Sequence, residues 1–508
     1  MNDFFLSLLL LGSASSGGVS PFWATANRYD IVPQGYGATV LLQTGMQCDT
    51  TKTVQWEWGI SAGVSTDTYR PVRAIPDEAY GAVKWKFLSL ELGLKRRSQD
   101  FLAAGYDLGT LSTTGGNMIW SGNAATVPGY TFNVHKVAIP GTGGHLSLFG
   151  RFGDYCTIDR RYVQWTHLHN TAFGMQIGLS PDNRWLLTAA LDHYAMWGGV
   201  SPEYGKFDMS FNSYCRMLIG GAGGEGYSES DRINVIGNQL GHIVFRLDYK
   251  GDKWGITLQH DHPYEDKSGM RFQNFPDGVN TIAFSMKDRK FWITDVLYEF
   301  QYTLWQGGTC ERRPATQEEI DRQDRHLWKE DDGTYSYIAG GEDNYFNNGE
   351  YKSGWTHGAR IIGNPFFLQM GTLEGTFNPD QDEFLKAVSD GAKVTKRAIE
   401  NNRVMVHHLG ISGVLFRMVP YKLMLTHSLN YGIYHTTLYC DFDMWRKDWS
   451  ERWRQKPKVQ FSGAFQCEIP LLNNRLSIVP AICWDRGQVL GNRVGGTLGL
   501  RYNFFSKS

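Results

Sequence analysis

The 508-residue sequence contains no apolar run approaching the ~20 residues that a membrane-spanning helix needs. It also lacks an excess of either charge, because its net charge is -1, so nothing global indicates nucleic acid as a partner. Its seven cysteines include no Cys-x-x-Cys pair, and such an odd, dispersed set argues against a zinc ribbon or a disulfide scaffold. These absences suit a soluble protein and equally a transmembrane β-barrel, whose strands face lipid only at every second residue.

Alternation of apolar and polar residues with a period of two dominates what is present. Two clear examples are TVQWEWGISAGVS, which begins at Thr53, and KVQFSGAFQCEI, which begins at Lys458. Hairpin turns are predicted at Lys250–Lys253, Asp288–Arg289 and Asn473–Asn474, and they join strands of about ten residues. Strands of that length cross a bilayer at a tilt.

Long polar excursions separate some of these hairpins. They run from about Gly307 to Gly363 and from about Glu374 to Arg403, and only the second contains a stretch with helical character. Short turns on one side and long loops on the other are typical of outer-membrane barrels, and the 17 Trp and 25 Tyr suit their aromatic girdles. The final alternating strand, which ends on the aromatic Phe504, is what barrel-insertion machinery is expected to recognise.

The sequence therefore predicts an all-β fold, a large antiparallel transmembrane β-barrel that forms one domain over residues 16–508 and sits in outer-membrane lipid. A soluble β-sandwich or propeller is the alternative, and the lack of any blade-period motif weighs against a propeller. Residues 1–15 contain an apolar run followed by small residues, which predicts a signal peptide or another apolar N-terminal segment. A signal peptide usually begins with a positively charged region, but Asp3 occupies that position here, so an apolar first strand is the alternative.

Two short motifs associated with catalysis or cofactors occur in unsuitable surroundings. GISAG matches the serine-hydrolase pattern, but Ser61 lies within unbroken strand alternation, whereas that chemistry needs a strand-to-helix elbow. GAGGEG at Gly221–Gly226 matches a dinucleotide-binding pattern, but no amphipathic helix follows it. The sequence therefore predicts a non-catalytic protein without a cofactor.

The segment HDHPYEDKSGMRF is a candidate for a metal site or for a surface enzyme. His260 and His262 share one face of the predicted strand, about 7 Å apart, and imidazole with carboxylate suits zinc. Nothing fixes a third ligand, so we predict polar residues at a strand end and no metal. A surface enzyme would instead need His260 to converge with Asp261 and Glu265.

Acids, amides and aromatic residues are concentrated between Asp343 and Arg360. Sugars are recognised by aromatic rings that pack against C–H faces and by forked polar side chains that pair with hydroxyls. The same composition also suits a loop whose Asn and Asp side chains bond to its own backbone. The residues alone leave both interpretations open.

Several segments, in the same order and spacing, resemble the Wzi-type capsule assembly barrels. The most specific is DNYFNNGEYKSGWTHGARIIGNPFF, and the resemblance extends from about Ser16 to Phe505. The other segments are SGGVSPFWATANRYDIVP, ALDHYAMWGGVSPEYGKF, HDHPYEDKSGMRFQNFPDGVNTI, LYEFQYTLWQGG and LTHSLNYGIY. The resemblance implies a barrel of about eighteen strands. The N-terminal helical plug of the type member is not expected here, because Ser13–Asn27 shows no helical periodicity.

The resemblance further implies a lectin-like, non-catalytic role in attaching or organising capsular or exopolysaccharide at the cell surface. We expect a monomer. A porin-like channel for small solutes or oligosaccharides is the alternative, and an inward fold of the Gly307–Gly363 excursion as a plug would favour binding over conduction. The candidate polysaccharide-binding residues are Asp343, Tyr345, Asn347, Tyr351, Trp355, Arg360, Asp266 and Arg271.

Overall fold

A single antiparallel sheet that closes on itself dominates the fold. The computed structural model describes residues 3–47, 51–97, 113–221, 236–265, 267–308, 311–324, 327–330, 332–339, 341–369, 398–434 and 457–505. The sheet has nineteen segments, and two of them form one strand interrupted at Glu468, which leaves eighteen strands. Each strand pairs with the next along the chain, and the last pairs with the first, from Ser7 opposite Asn503 to Ser15 opposite Gly495. The barrel is therefore closed.

The barrel strands are numbered in chain order, and the shorter strands outside the barrel carry no number. The first nine are β1 (Asp3–Ser15), β2 (Gly37–Gln47), β3 (Val54–Thr66), β4 (Arg73–Trp85), β5 (Leu88–Leu94), β6 (Pro128–Ala138), β7 (Leu146–Cys156), β8 (His167–Gly178) and β9 (Trp185–Trp197). The other nine are β10 (Asn238–Lys250), β11 (Trp254–Tyr264), β12 (Gly278–Met286), β13 (Asp295–Tyr302), β14 (Val404–Leu415), β15 (Val419–Asn430), β16 (Lys458–Cys467 with Ile469–Leu471), β17 (Leu476–Gly487) and β18 (Arg493–Asn503).

The outer wall of the barrel is apolar, because successive residues of a strand point alternately to the lipid and to the lumen. In β3 the outward residues Trp56, Ile60 and Val64 are about half exposed, whereas Ser61 and Ser65 are buried on the inner face. A closed sheet leaves no unpaired edge, which is what a bilayer requires of a spanning β-structure. The predicted transmembrane β-barrel and its location in the outer membrane are confirmed.

The two ends of the barrel differ in the length of their connections. At one end short turns join the strands, among them residues 251–253, 416–418 and 472–475. At the other end the connections are long, and those of residues 198–237 and 303–403 are the longest. Outer-membrane barrels place short turns in the periplasm and long loops outside the cell, so the two ends are called periplasmic and extracellular below.

Strand β1 contains the apolar run for which the sequence predicts a signal peptide or another apolar N-terminal segment. Its residues pair with β2 on one side and with β18 on the other, so in the structure this run is a barrel strand. A signal-peptide role for residues 1–15 stays a prediction.

Short elements occupy the connections between the barrel strands. The described helices are Phe22–Thr25, Phe211–Leu218, Lys267–Met270 and Gln317–Asp321, and none of them is long and apolar enough to cross a membrane. The described short strands are Val200–Ser201, Gly205–Lys206, Glu311–Pro314, Leu327–Lys329, Tyr335–Ala339, Thr356–His357, Arg360–Ile361, Leu368–Gln369 and Ile399–Asn401. Most of the stretch with predicted helical character and most of the GAGGEG motif lie outside the described residues.

Loop residues fill the extracellular half of the lumen. Four segments fold inward, residues 16–36, 113–127, 341–369 and 398–403, and together they are called the lumen plug. Trp23, Trp355 and Phe367 of the plug are at most 2% exposed and belong to one apolar core with inward residues of the wall, such as Tyr194 and Val406. Residues 341–369 thus adopt the inward fold that would favour binding over conduction.

Candidate functional site

The lumen plug is attached to well-separated parts of the barrel wall. Trp23 donates a hydrogen bond from Nε1 to Thr426 Oγ1 of β15 at 3.0 Å. The ring centroid of Trp355 lies 5.6 Å from that of Tyr194 on β9, in an edge-to-face arrangement that suits aromatic pairs. Because five strands lie between β9 and β15 on the shorter way round the closed sheet, these contacts hold the plug across the lumen.

Two plug segments that are remote in sequence lie against each other. Trp355 donates from Nε1 to the carbonyl of Ile119 at 2.6 Å. Ser121 donates its backbone N–H to the carbonyl of Ile362 at 2.7 Å and its hydroxyl to the carbonyl of Gly363 at 2.6 Å. Residues 113–127 and 341–369 therefore satisfy one another's buried backbone groups, which would otherwise be costly to bury.

Asp30 of the plug lies beside three arginine side chains. Its carboxylate accepts a hydrogen bond from Arg360 Nε at 2.6 Å and another from Arg73, and Arg70 Nη1 lies 3.7 Å away. Burial by itself would raise the pKa of Asp30, but Arg360, Arg73 and Arg70 outweigh burial and hold that pKa below its ordinary value. The ionised carboxylate therefore joins residues 16–36 to residues 341–369 and to strand β4.

A buried hydrogen-bond network holds Tyr345. Its hydroxyl donates to Asp277 Oδ2 and accepts from Asn274 Nδ2, both at 2.8 Å. Asp277 also accepts the backbone N–H of Trp305 at 2.9 Å and that of Gln306 at 2.7 Å. Burial raises the pKa of Asp277 to about 6, although the hydrogen bonds it accepts act in the opposite direction. Tyr345 therefore connects loops and does not present its hydroxyl to solvent.

Most of the predicted polysaccharide-binding residues lie inside the plug. Asn347 is half-buried, and its side chain bonds to both the carbonyl and the N–H of Ile399, at 2.8 and 3.0 Å. Asp343 is half-buried, Arg271 is exposed, and Asp266 lies outside the described residues. Four of the eight predicted residues are at most 5% exposed: Tyr345, Tyr351, Trp355 and Arg360. Polysaccharide binding by the eight residues stays a prediction.

The histidines of β11 lie on the opposite face of the strand from the neighbouring aspartate. His260 and His262 point away from the lumen, with ring centroids 5.9 Å apart, whereas Asp261 points inward and bonds to His242 at 2.6 Å. Glu265 accepts a backbone N–H of the plug, so these groups do not converge on one point. Within the part of the chain that the structure describes, no group of three or more His, Cys, Asp or Glu side chains is placed to hold a metal ion.

A polar and aromatic cluster at the extracellular end was not identified from the sequence. It consists of Tyr162, Glu203, Tyr204 and Lys352 and is called the surface cluster. Lys352 Nζ donates to Glu203 Oε2 at 2.8 Å and to the Tyr162 hydroxyl at 3.0 Å, and the bond from Lys352 lowers the pKa of Glu203. Tyr204 is 43% exposed, so part of its ring faces solvent. The cluster therefore offers an aromatic surface beside charged groups.

The surface cluster rests on the motif that the sequence analysis singled out. The ring centroid of Tyr204 lies 6.3 Å from that of Phe207, which lies 5.8 Å from that of the buried Tyr351. Lys352 directly follows Tyr351, so the motif supplies both a support and a polar group. The only available signal was the segment SPEYGKF, within one of the resembling segments, and it carries no recognisable sugar-binding pattern by itself.

Comparisons with known proteins identify the fold. No protein-family model matches the sequence, and no curated protein matches it. Wzi of Escherichia coli, an outer-membrane protein involved in group 1 capsule assembly and a carbohydrate-binding β-barrel, aligns with a TM-score of 0.51 and 11% identity, over 98% of this chain and 85% of Wzi. This likeness shows a shared outer-membrane barrel fold, and a Wzi-type identity stays a prediction.

Two Pseudomonas aeruginosa proteins are also similar in structure. OccK5 (OpdH) aligns with a TM-score of 0.44 and 9% identity, over 99% of this chain and 97% of OccK5. OprD aligns with a TM-score of 0.41 and 11% identity, over 99% of this chain and 95% of OprD.

Proposed function

We propose that this chain is a monomeric, non-catalytic and non-conducting outer-membrane barrel that binds capsular or exopolysaccharide at the cell surface. The observation that carries the proposal is the lumen plug, since a folded apolar core in the extracellular half of the barrel opposes the water-filled passage that a porin needs. The carbohydrate binding described for Wzi, whose fold this chain shares, gives further support.

The surface cluster is the proposed place of contact with the polysaccharide. A sugar ring presents an apolar C–H face to an aromatic plate and hydroxyls to charged or amide groups. Tyr204 supplies a ring that is 43% exposed, and Glu203 and Lys352 supply a carboxylate and an ammonium beside it. An aromatic ring and charged groups therefore lie together where the extracellular loops meet solvent.

Within the predicted motif, we assign two roles. Asp343 and Asn347 are half-buried, and we propose that they contact sugars where the plug meets solvent, together with Arg271 and Asp266 of the neighbouring loop. The buried members of the motif act by holding the loops in place beneath the contact surface. They are Tyr345, Tyr351, Trp355 and Arg360.

Retention of polysaccharide by intact cells tests the proposal. Deletion of the gene in an encapsulated strain should move polysaccharide from the cell fraction to the medium, and the wild-type gene should restore attachment. A deletion strain that keeps its polysaccharide attached would contradict the proposal.

Planar-bilayer recordings on the purified protein separate binding from conduction. The wild-type protein should give no large, steady single-channel current, because the plug occupies the lumen. Large steady currents would favour the porin-like alternative.

A single substitution tests the surface cluster. Tyr204→Ala removes the exposed ring and should weaken polysaccharide binding about tenfold. An aromatic contact contributes about 1 kcal/mol or more to the free energy of binding, and a tenfold change in affinity corresponds to about 1.4 kcal/mol. Tyr36→Ala is the matched control, because Tyr36 is 59% exposed at the same end of the barrel and lies outside the cluster. Equal binding by both variants would remove the surface cluster from the proposal.

A further inference from the structure

Beneath the lumen plug, the barrel keeps an open cavity of about 380 Å³, which extends from the periplasmic ends of β6 and β10 to the residues that follow β5. Strands β5 to β10 form most of its wall. Lys136 and Lys250 lie near the periplasmic ends of β6 and β10 and are exposed, whereas Thr131 and Arg97 at the upper end are buried. The cavity is called the lower chamber, and it opens toward the periplasmic end.

The lower chamber is strongly cationic, although the whole chain is nearly neutral. Seven lysine and arginine side chains line it, against the two carboxylates of Glu91 and Asp248. Glu57 and Asp77 lie just outside and pair with lysine and arginine of the lining at 2.9 and 2.6 Å, and Glu78 accepts a backbone N–H of the lining at 3.0 Å. Counting these three carboxylates as well leaves an excess of two positive charges. In a narrow space with walls of low dielectric constant, such an excess raises the local concentration of anions.

The cations are spread along the chamber and are held in defined positions. Near the mouth, Lys136 Nζ donates to Gln176 Oε1 at 2.7 Å. At the upper end, Arg97 donates to Thr131 Oγ1 at 3.0 Å, and its guanidinium lies 4.3 Å from the centre of the Tyr155 ring. Positive groups at both ends of one cavity suit an extended ligand with several negative charges better than a single small anion.

The remaining wall suits hydroxyl groups. Asn133, Gln176, Thr131 and Thr188 contribute amides and hydroxyls among the cations. Amides and hydroxyls pair with sugar hydroxyls, whereas arginine and lysine pair with carboxylates. A volume of about 380 Å³ lies within the range of ~300–1,000 Å³ for small-molecule sites.

From this geometry we infer that the lower chamber binds an acidic oligosaccharide, one that bears carboxylates on a polyhydroxylated chain, from the periplasmic side. The inference rests on the proposed function, because it assigns a chemical class to the polysaccharide that this barrel handles. It adds a second contact region on the other side of the plug from the surface cluster.

Calorimetric titration of the full-length protein in detergent tests the inference, with trigalacturonate as the probe. The wild-type protein should bind trigalacturonate, and added salt should weaken binding because the contacts are ionic. The double variant Lys136→Gln, Lys250→Gln should bind at least about tenfold more weakly. Both lysines are exposed, so the barrel should still fold, which the mobility shift between unheated and heated samples checks.

The control variant is Lys52→Gln, Lys290→Gln, which removes two exposed charges from turns at the same end of the barrel but outside the chamber. It should bind trigalacturonate as the wild type does. Equal weakening in both double variants, or no weakening in either, would overturn the inference.

Two further probes test the chemical class. Neutral maltotriose should bind at least about tenfold more weakly than trigalacturonate, and so should inorganic phosphate. If maltotriose binds as tightly, the requirement for acid is wrong. If phosphate binds as tightly, the chamber is a general anion site and the saccharide assignment is wrong.

The two proposals fail in different ways. If the chamber variant binds trigalacturonate normally while Tyr204→Ala loses polysaccharide binding, the lower chamber is excluded and the surface function stands. If the deletion strain keeps its polysaccharide attached, the proposed function fails whatever the titrations give.

Discussion

Asp30 and Arg360 are 330 residues apart in the sequence, yet inside the barrel the carboxylate oxygen Oδ1 lies 2.6 Å from the guanidinium Nε. Both residues are at most 6% exposed. Because both members of this ion pair are buried, the loops that carry them occupy fixed positions relative to each other. The plug is therefore one folded unit made from separate connections.

Replacing Asp30 should loosen the plug. Asp30→Asn keeps the size of the side chain but removes its negative charge. The buried Arg360, with Arg70 and Arg73 beside it, then loses the carboxylate that offsets its positive charge. Removing one partner of a buried pair costs on the order of 3 kcal/mol. We expect a lower unfolding temperature in detergent and more frequent current openings in planar bilayers. The control is Asp182→Asn, since Asp182 pairs with Arg184 in an exposed turn and should matter little.

Replacing Trp355 distinguishes a structural role from a direct sugar contact. Trp355 is fully buried and bonds to the carbonyl of Ile119, so Trp355→Ala should destabilise the protein by about 3–5 kcal/mol through the cavity it leaves. Trp165→Ala, which changes a ring that is 58% exposed at the same end, should have little effect. A Trp355→Ala protein with unchanged thermal stability and lost polysaccharide binding would reverse our assignment.

A glycine at the contact between two plug segments should not tolerate a side chain. A Cβ on Gly363 would lie 2.6 Å from the carbonyl oxygen of Met118 and 2.7 Å from the Phe346 ring. Gly363→Ala must push these segments apart, and we expect a loss of about 1–3 kcal/mol of stability. Gly349→Ala, in the same motif, is the matched control, because a Cβ there meets nothing within 4 Å. Equal unfolding temperatures for the two variants would contradict the close contact.

Asp277 should make the stability of the plug depend on pH. Its pKa in the folded protein is raised to about 6 by burial, above the ordinary value of 3.8, so the folded state holds the proton more tightly than the unfolded state. Its contribution is therefore complete below pH ~4 and is lost as the pH rises through about 6, a change of roughly 3 kcal/mol. Asp30 has a lowered pKa, so its own contribution is lost only at lower pH.

Thermal unfolding of the wild type and of Asp277→Asn between pH 4.5 and 7.5 measures this dependence. The wild type should lose stability relative to Asp277→Asn as the pH rises, because the amide cannot ionise. Parallel curves over this range would mean that Asp277 is already ionised at the lower pH, favoured by the hydrogen bonds from Tyr345 and from the backbone of Gln306.

The wall of the barrel was predictable from the sequence. In β3, alternate residues from Val54 to Val64 face lipid, and the exposure of Trp56 and the burial of Ser61 follow the predicted pattern. The turn at residues 251–253 was predictable for the same reason, since it separates two alternating runs. Each of these features depends on residues that are neighbours along the chain.

The candidate site was only partly predictable. The segment from Asp343 to Arg360 was identified by composition, but composition does not distinguish a ring that faces solvent from one that faces a core. Tyr345 and Trp355 are buried, and the exposed Tyr204 that stands above the same motif was overlooked. Which face of an aromatic residue is free depends on contacts with Phe207 and Ile119, from other loops.

The sequence by itself determined that this protein is a transmembrane β-barrel, because lipid on one face and lumen on the other impose a period of two on every strand. Only the tertiary structure decided where the long connections go and what they leave open. The pairing of Asp30 with Arg360 and the gathering of seven cations in the lower chamber bring together residues from distant parts of the chain. No local sequence pattern predicts these contacts, because they form only when the sheet closes and its loops pack together in the lumen.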